Sequence, residues 1–278
     1  MSRLAALAIS SAPDQSNLST EQSNQGLTPR LDLGERYLQL VQATLSGIIY
    51  EDPPLLANTN GDPTYDPTIR EYGWDWPSKA FTMIGNKRLS NFRSLIENVI
   101  AFNTPGDIVE TGVWRGGACI LARAVLEVYG QKDRMIYLCD SFEGLPPPDV
   151  DRYPSDAGST FHQYPELAVS IDEVKEAFRR FNFMDDQVQF VPGLFKDTLE
   201  TLPTNQIAVL RLDGDMYEST IQALQHLYHK VSVNGWVIID DYEVVPACKQ
   251  AVDDFLSEHK ISPELHVIDG VGRFFQKL

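Results

Sequence analysis

Three aspartates in this chain, Asp213, Asp240 and Asp241, each follow a short apolar run, IAVLRL before the first and GWVII before the pair. Runs of this length, rich in β-branched residues and bounded by polar ones, are what a parallel sheet produces when both its faces are covered. If those strands are neighbours, all three carboxylates meet at one edge of the sheet. Crowded carboxylates repel, and no basic residue is read among them here. The chemistry this predicts is a hard divalent cation held through oxygen. The competing reading is that the aspartates end their strands and cap the helices that follow.

A second constellation is DIVETGVWRGGACILARAV, which reads as strand, Gly-rich turn and helix. Gly112, Gly116 and Gly117 allow a sharp turn and close approach of a ligand, and the helix opening near Gly117 presents N–H groups there. The spacing G-x-x-x-G-G is not the G-x-G-x-x-G that cradles a pyrophosphate, and it suits a nucleoside carrying no phosphate. Asp140 ends the next strand, MIYLCD, at roughly the interval where an acidic residue reaches ribose hydroxyls. One carboxylate can accept from both hydroxyls. A solvated strand-end aspartate is the plain alternative. In VPGLFKDTL, Gly193, Leu194 and Phe195 fall where the base would lie, with Phe195 equally readable as core.

The elements that must position these residues alternate. DIVET, MIYLCD, VQFVPG, AVLRLD and WVIIDD are strand-like, and GGACILARAVLEVYG, IDEVKEAFRRFNF and STIQALQHLYHKV are helical patterns between most of them. ACKQAVDDFLSEHK follows as another helix. This predicts a doubly wound, Rossmann-like α/β sheet. The tail, ELHVIDGVGRFFQKL, predicts a hairpin about Asp269-Gly270. Upstream, residues 11–30 are rich in Ser, Asn and Gln and read as a mobile arm. A helix is predicted over 31–50, then a long irregular loop over 51–77 that reads as a lid or binding loop. FTMIGNKRLSNFRSLIENVIAFNTPG follows as a helix ending at Pro105-Gly106.

The formal charge of −16 and a pI near 4.6 argue against nucleic-acid or anionic-membrane partners, which need Lys/Arg clusters. No segment approaches the ~20 apolar residues of a membrane span, and the start is a poor secretory signal. Cys119, Cys139 and Cys248 fit no zinc spacing and read as buried free thiols, consistent with a reducing cytoplasm.

ETGVWRGG, CDSFEGLPPP, VPGLFKDTL, LRLDGDMYEST and IIDDYEVVPACKQAV resemble the macrocin/mycinamicin O-methyltransferase family, which includes the novobiocin sugar O-methyltransferase. FTMIGNKRL resembles that family's segment ahead of the fold, and the likeness runs from about residue 70 to the end. The resemblance implies a class I S-adenosylmethionine (SAM) methyltransferase with a mostly parallel seven-stranded sheet, a terminal antiparallel hairpin and an N-terminal helical cap. The first thirty residues match nothing in that family; the chain is read as a flexible arm over 1–30, a helical cap and lid over 31–105 and a methyltransferase domain over 106–278. Implied SAM contacts are Thr82, Met83, Glu110, Gly112, Gly116 and Gly117, with Asp140 and Ser141 at the ribose and Gly193 and Phe195 at the adenine. Implied Mg²⁺ ligands are Asp213, Asp240 and Asp241. The expected acceptor is a hydroxyl of a small secondary metabolite, a sugar above all, and the expected assembly is a homo-oligomer.

Methyl transfer from a sulfonium to an alcohol is an in-line displacement, and an unperturbed sugar hydroxyl needs a Lewis acid or a base. The position three after Asp213, a lysine in the more distantly similar catechol O-methyltransferases, is Met216 here. The expected proton acceptor is therefore a carboxylate, Asp213 first, with Asp215 and His162 as alternatives. Tyr72, Trp74 and Trp76 read either as an acceptor-stacking surface or as lid packing. A nicotinamide dehydrogenase would also use Asp140 but not the glycine spacing or the aspartates. A non-catalytic nucleoside-binding or metal-binding domain is the third reading.

Overall fold

Five of the strands lie parallel; three adjacent central ones are short and buried on both faces, while the edge strand of the five is only partly covered. The computed structural model describes residues 29–56, 61 and 63–278; the arm read over 11–30 lies outside them except for its last two residues. β1 (Asp107–Thr111), β2 (Ile136–Asp140), β3 (Val188–Pro192), β4 (Ile207–Leu212) and β5 (Val231–Ile239) are the parallel strands. β6 (His266–Val267) and β7 (Arg273–Gln276) are the tail hairpin. The seven-stranded order is β3-β2-β1-β4-β5-β7-β6, with β7 antiparallel to β5. Every residue of β4 is buried.

Side chains alternate across each strand and feed two cores. Ile108 joins one face with α1 (Pro29–Leu45), α3 (Gly85–Ala101), α4 (Gly117–Val128) and α5 (Ile171–Arg180). Val109 joins the other with α7 (Tyr217–Leu227) and α8 (Pro246–Glu258). Between β3 and β4 lies the single turn α6 (Phe195–Thr198).

The N-terminal third departs from the sequence reading in three places. The helix expected over 31–50 stops at Leu45, where Gly47 turns left-handed (φ 75°) and Ile48–Tyr50 forms a separate 3-10 turn. Phe81–Ile84 is not helical, and α3 opens at Gly85, whose backbone lies hard against Gly73. The loop after Tyr50 contains α2 (Pro67–Tyr72), capped by Asp66, and is pinned as a wall. Fully buried Arg70 makes a bidentate pair with Asp75 (2.8 and 2.6 Å) and donates to the Ser46 and Asp52 carbonyls. The Asp52 carboxylate accepts from Ser78 Oγ and from the Lys79 and Ala80 N–H groups.

At the carboxyl edge the ladder continues one residue past the strands. Gly112 N–H donates to Cys139 O, Gly193 N–H to Asp140 O, Asp213 N–H to Thr111 O and Asp240 N–H to Leu212 O, each at 2.9 Å. This aligns the sequence-predicted residues along one rim. Gly112 is the tightest point, with φ 85° and a position where any Cβ would fall on the Asp213 carbonyl oxygen. Gly112→Ala should therefore cost on the order of 3–5 kcal/mol of stability, from left-handed strain plus displaced backbone. Gly130→Ala, also left-handed (φ 64°) but facing open space, should cost only about 1–2 kcal/mol. Urea unfolding of the two variants checks this, and equal losses would show that the close approach at Gly112 is not rigid.

Candidate active site

A charge sits inside each of two buried strands, Glu110 in β1 and Arg211 in β4, and the two are register partners. Both are buried, at 1 % exposure. Arg211 Nη1 donates to Glu110 Oε1 (2.5 Å) and to Asp213 Oδ2 (2.8 Å), and its Nη2 to Asp240 Oδ1. Arg88, arriving from α3, donates to the other oxygen of Asp240 and faces Asp269 Oδ2 at 3.3 Å. The expectation that no basic residue stands among the acids is thus corrected: two guanidinium groups stand there. The strand-internal charges were the signal for Arg211; nothing local pointed to Arg88, 152 residues from its partner.

The three predicted ligands do converge. One carboxylate oxygen from each of Asp213, Asp240 and Asp241 lies within 4.8 Å of the others. All donors are oxygen, as a hard cation requires. Asp241 is buried and, among the described residues, its carboxylate accepts one hydrogen bond, from the Asp215 N–H at 3.3 Å. Burial, then the charges of Asp215, Asp213 and Asp240, hold its carboxyl well above the usual carboxylate range. Burial and the neighbouring Asp240 push Asp213 up to about 6 against the pull of Arg211. The excess of acid over base leaves room for added positive charge, so the residues fit a divalent ion.

Asp215 stands outside that oxygen group and lines the cleft beside it. Its backbone is left-handed (φ 60°), uncommon for a residue other than glycine, Asn or Asp. Its carboxylate has no hydrogen-bond donor among the described residues. Burial, with Asp213 and Asp240 nearby, pushes its pKa up to about 7.

The cleft encloses about 1220 Å³, open mouth included. Thr82, Met83, Glu110, Gly112, Asp140, Ser141, Gly193, Phe195 and Asp213 line it. Asp240 and Asp241 lie beneath the lining. Gly116 and Gly117 do not reach it: their N–H groups are spent on the Val113 and Phe81 carbonyls. Their glycine character serves packing, Gly117 against Phe81 and Thr82 and Gly116 against Val174, and this is what presses Thr82 to the cleft. Asp140 is tied into the turn, accepting from the Val113 and Phe142 N–H groups at 2.8 Å each. Burial raises its pKa while those N–H groups oppose the rise. Ser141 Oγ donates to Asp140 Oδ1 at 3.5 Å, and the Trp114 N–H is a further donor to the carboxylate.

Residues that the sequence reading passed over shape the mouth. Trp114 lines the cleft at φ 46° and donates from its indole to the Glu166 carbonyl (2.9 Å). Arg115 lies over the Trp114 ring at 4.0 Å and donates to the Pro77 and Ala80 carbonyls. One turn after β1 thus holds both lips, which also meet where Trp76 packs edge-on against Tyr164. Buried Asp156 caps α7, accepting from the Tyr217 and Glu218 N–H groups at 2.6 and 3.0 Å, and so fastens the loop after β2. His162 is exposed and away from the cleft lining. Tyr72 and Trp74 stack at 4.8 Å, with Trp74 47 % exposed. Cys119, Cys139 and Cys248 are free and buried, Cys119 donating to Glu110 (2.8 Å). Among the described residues no helix is long and apolar enough to cross a membrane.

The family model for macrocin O-methyltransferase (TylF) matches residues 34–277. The demethyldecarbamoylnovobiocin O-methyltransferase of Streptomyces niveus is 49 % identical over 243 residues, covering 87 % of this chain and 93 % of the relative. The mycinamicin III 3''-O-methyltransferase of Micromonospora griseorubida is 44 % identical over 246 residues, covering 87 % and 96 %. The solved structure of the O-methyltransferase NovP superposes with a TM-score of 0.84 at 48 % identity, covering 88 % of this chain and 99 % of that one. The aligned carboxyl edge, the glycine turn without a phosphate fingerprint and these likenesses agree: the chain belongs to the macrocin O-methyltransferase (TylF) family and is a SAM-dependent O-methyltransferase.

Proposed function

We propose that the protein methylates a sugar hydroxyl on a glycosylated natural product, using Mg²⁺ held by Asp213, Asp240 and Asp241. The observation that carries this is the convergence of those three carboxylates beside a nucleoside-sized cleft. The similar proteins act, by their names, on a novobiocin precursor and on mycinamicin III, which supports a glycosylated acceptor. Residues 106–278 carry the transferase in this reading and 31–105 its cap. The exposed Leu33 and Leu40 on α1 support a homo-oligomer, and the buried free thiols support a cytoplasmic setting.

Bound at the acidic edge, the metal supplies Lewis acidity and an anchor for adjacent hydroxyls, while SAM supplies the methyl group on its sulfonium. Asp140 accepts hydrogen bonds from the ribose hydroxyls. Gly193 and Phe195 flank the adenine, and Thr82 and Met83 close on the methionine end. Glu110 acts one layer down, fixing Arg211. The lips tied by Trp114 and Arg115 hold the acceptor oxygen in line and limit water.

The proton goes to Asp215 rather than Asp213. Asp213 is paired with Arg211 and committed to the metal, whereas Asp215 lines the cleft and its carboxylate meets no hydrogen-bond donor among the described residues. Asparagine tolerates the left-handed backbone, so Asp215→Asn should fold. It should lose ~10²–10⁴ in kcat at saturating metal with SAM affinity kept. Asp213→Asn should instead weaken metal binding and recover partly at high Mg²⁺. Near-normal kcat in Asp215→Asn would return the role to Asp213, and full turnover after exhaustive chelation would remove the metal from the reading altogether.

The donor side has its own measurement. Asp140→Ala should weaken binding of S-adenosylhomocysteine by about 1.5–3 kcal/mol, roughly tenfold to a hundredfold in Kd. Calorimetry on the folded variant tests it; an unchanged Kd would place the ribose elsewhere.

A further inference from the structure

The acidic edge brings its own cations, Arg88 and Arg211. Arg88 is 6 % exposed and leaves α3 to reach Asp240, whose opposite oxygen is already held by Arg211. Its Nη2 is fixed by the Tyr72 and Gly73 carbonyls at 3.2 and 3.3 Å, so the guanidinium has no freedom to withdraw. Behind it, Asp269 in the β6–β7 turn offsets its charge from 3.3 Å. Asp269 Oδ1 meanwhile accepts from the Val271 and Gly272 N–H groups. Charges alternate from the tail hairpin inward: Asp269, Arg88, Asp240, Arg211, then Glu110 and Asp213.

We propose that Arg88 and Arg211 are a built-in counter-charge that assembles the acidic edge without metal and holds its affinity for divalent cations down, with Asp269 setting how strongly Arg88 is felt. This rests on the metal reading above. A guanidinium bonded to a metal-ligating carboxylate stands within a few ångströms of the ion. Even at an effective dielectric of ~20, repulsion over that distance changes affinity by an order of magnitude or more. Its consequence is a metal that exchanges readily and is helped into place by the acceptor's hydroxyls, not one locked in by the protein.

The sign separates this from a positioning role. If Arg88 only aims Asp240, any change at Arg88 weakens metal binding. If its charge is what counts, removing the charge strengthens it. Mn²⁺ titration followed by electron paramagnetic resonance, on the full chain with S-adenosylhomocysteine bound and no acceptor, reads this without turnover. Arg88→Gln keeps a donor for Asp240 and should bind Mn²⁺ at least about tenfold more tightly than the unaltered protein. Arg88→Lys keeps the charge and should stay within about threefold of it. Asp269→Asn keeps the turn acceptor but exposes Arg88's charge, and should bind several-fold more weakly, roughly threefold or more. Unchanged or weaker binding in Arg88→Gln overturns the proposal, as does an Arg88→Lys that tightens like Gln. Should Arg88→Gln not fold, Asp269→Asn decides alone, and unchanged or tighter binding there overturns it. An unaltered protein that binds no Mn²⁺ sinks the metal reading itself, and this inference with it.

Discussion

A guanidinium buried between three strands must find carboxylates on every side, and Arg211 does so with Glu110 from β1, Asp213 just past β4 and Asp240 just past β5. Breaking one arm of a buried ion pair costs ~3–5 kcal/mol, because the stranded charge cannot reach water. Slipping β4 by one residue against β1 would turn Arg211 away from Glu110 and strand both. The network therefore penalises every register of these strands but one. That register also sets Gly112 against the Asp213 carbonyl, so the donor turn after β1 and the acidic rim after β4 and β5 are fixed relative to each other by the same pairings.

The loops inherit this precision through a few anchors. The turn after β1 carries Trp114 and Arg115, which reach opposite lips, and Asp156 fastens the loop after β2 to the start of α7. Asp52 and Arg70 do the same for the cap. Each anchor is a side-chain group bonding to backbone N–H or C=O, so it satisfies main chain that an irregular loop would otherwise leave unpaired. The long segments that look structureless by composition are held as walls for that reason.

Much of this was readable in the chain. The five parallel strands, the tail hairpin and the convergence of Asp213, Asp240 and Asp241 follow from apolar runs and what ends them, because burial on both faces leaves a local trace. Gly116 and Gly117 were readable as a tight spot but not as to what crowds them: the neighbours are Phe81 and Val174, distant in sequence. Arg88, Asp156 and Arg70 left no trace for the same reason, and Asp269 was readable only as a turn residue, not as the partner of Arg88. A charged residue in a helix or turn looks solvated until the fold shows its partner, and a pairing across 152 residues has no period to betray it. Arg211 and Glu110 were the exception, since a charge inside a buried strand must be answered.

The two halves of the site are consequently built from different materials. On the donor side, turn geometry is set by backbone, by Gly112 and Gly193, and by an Asp140 already bonded to its own turn, so the rim tolerates little change in shape. On the side proposed for the acceptor, the wall is made of loop segments between anchors, with groups such as Trp74 half exposed. Substitutions between the anchors alter the wall without stranding a buried charge or displacing a strand end. Loops on a rigid scaffold are where recognition can change at small cost in stability. In the proposed reading the chemistry sits on the sheet edge, where the charge network leaves it no latitude, and acceptor choice sits on the loops.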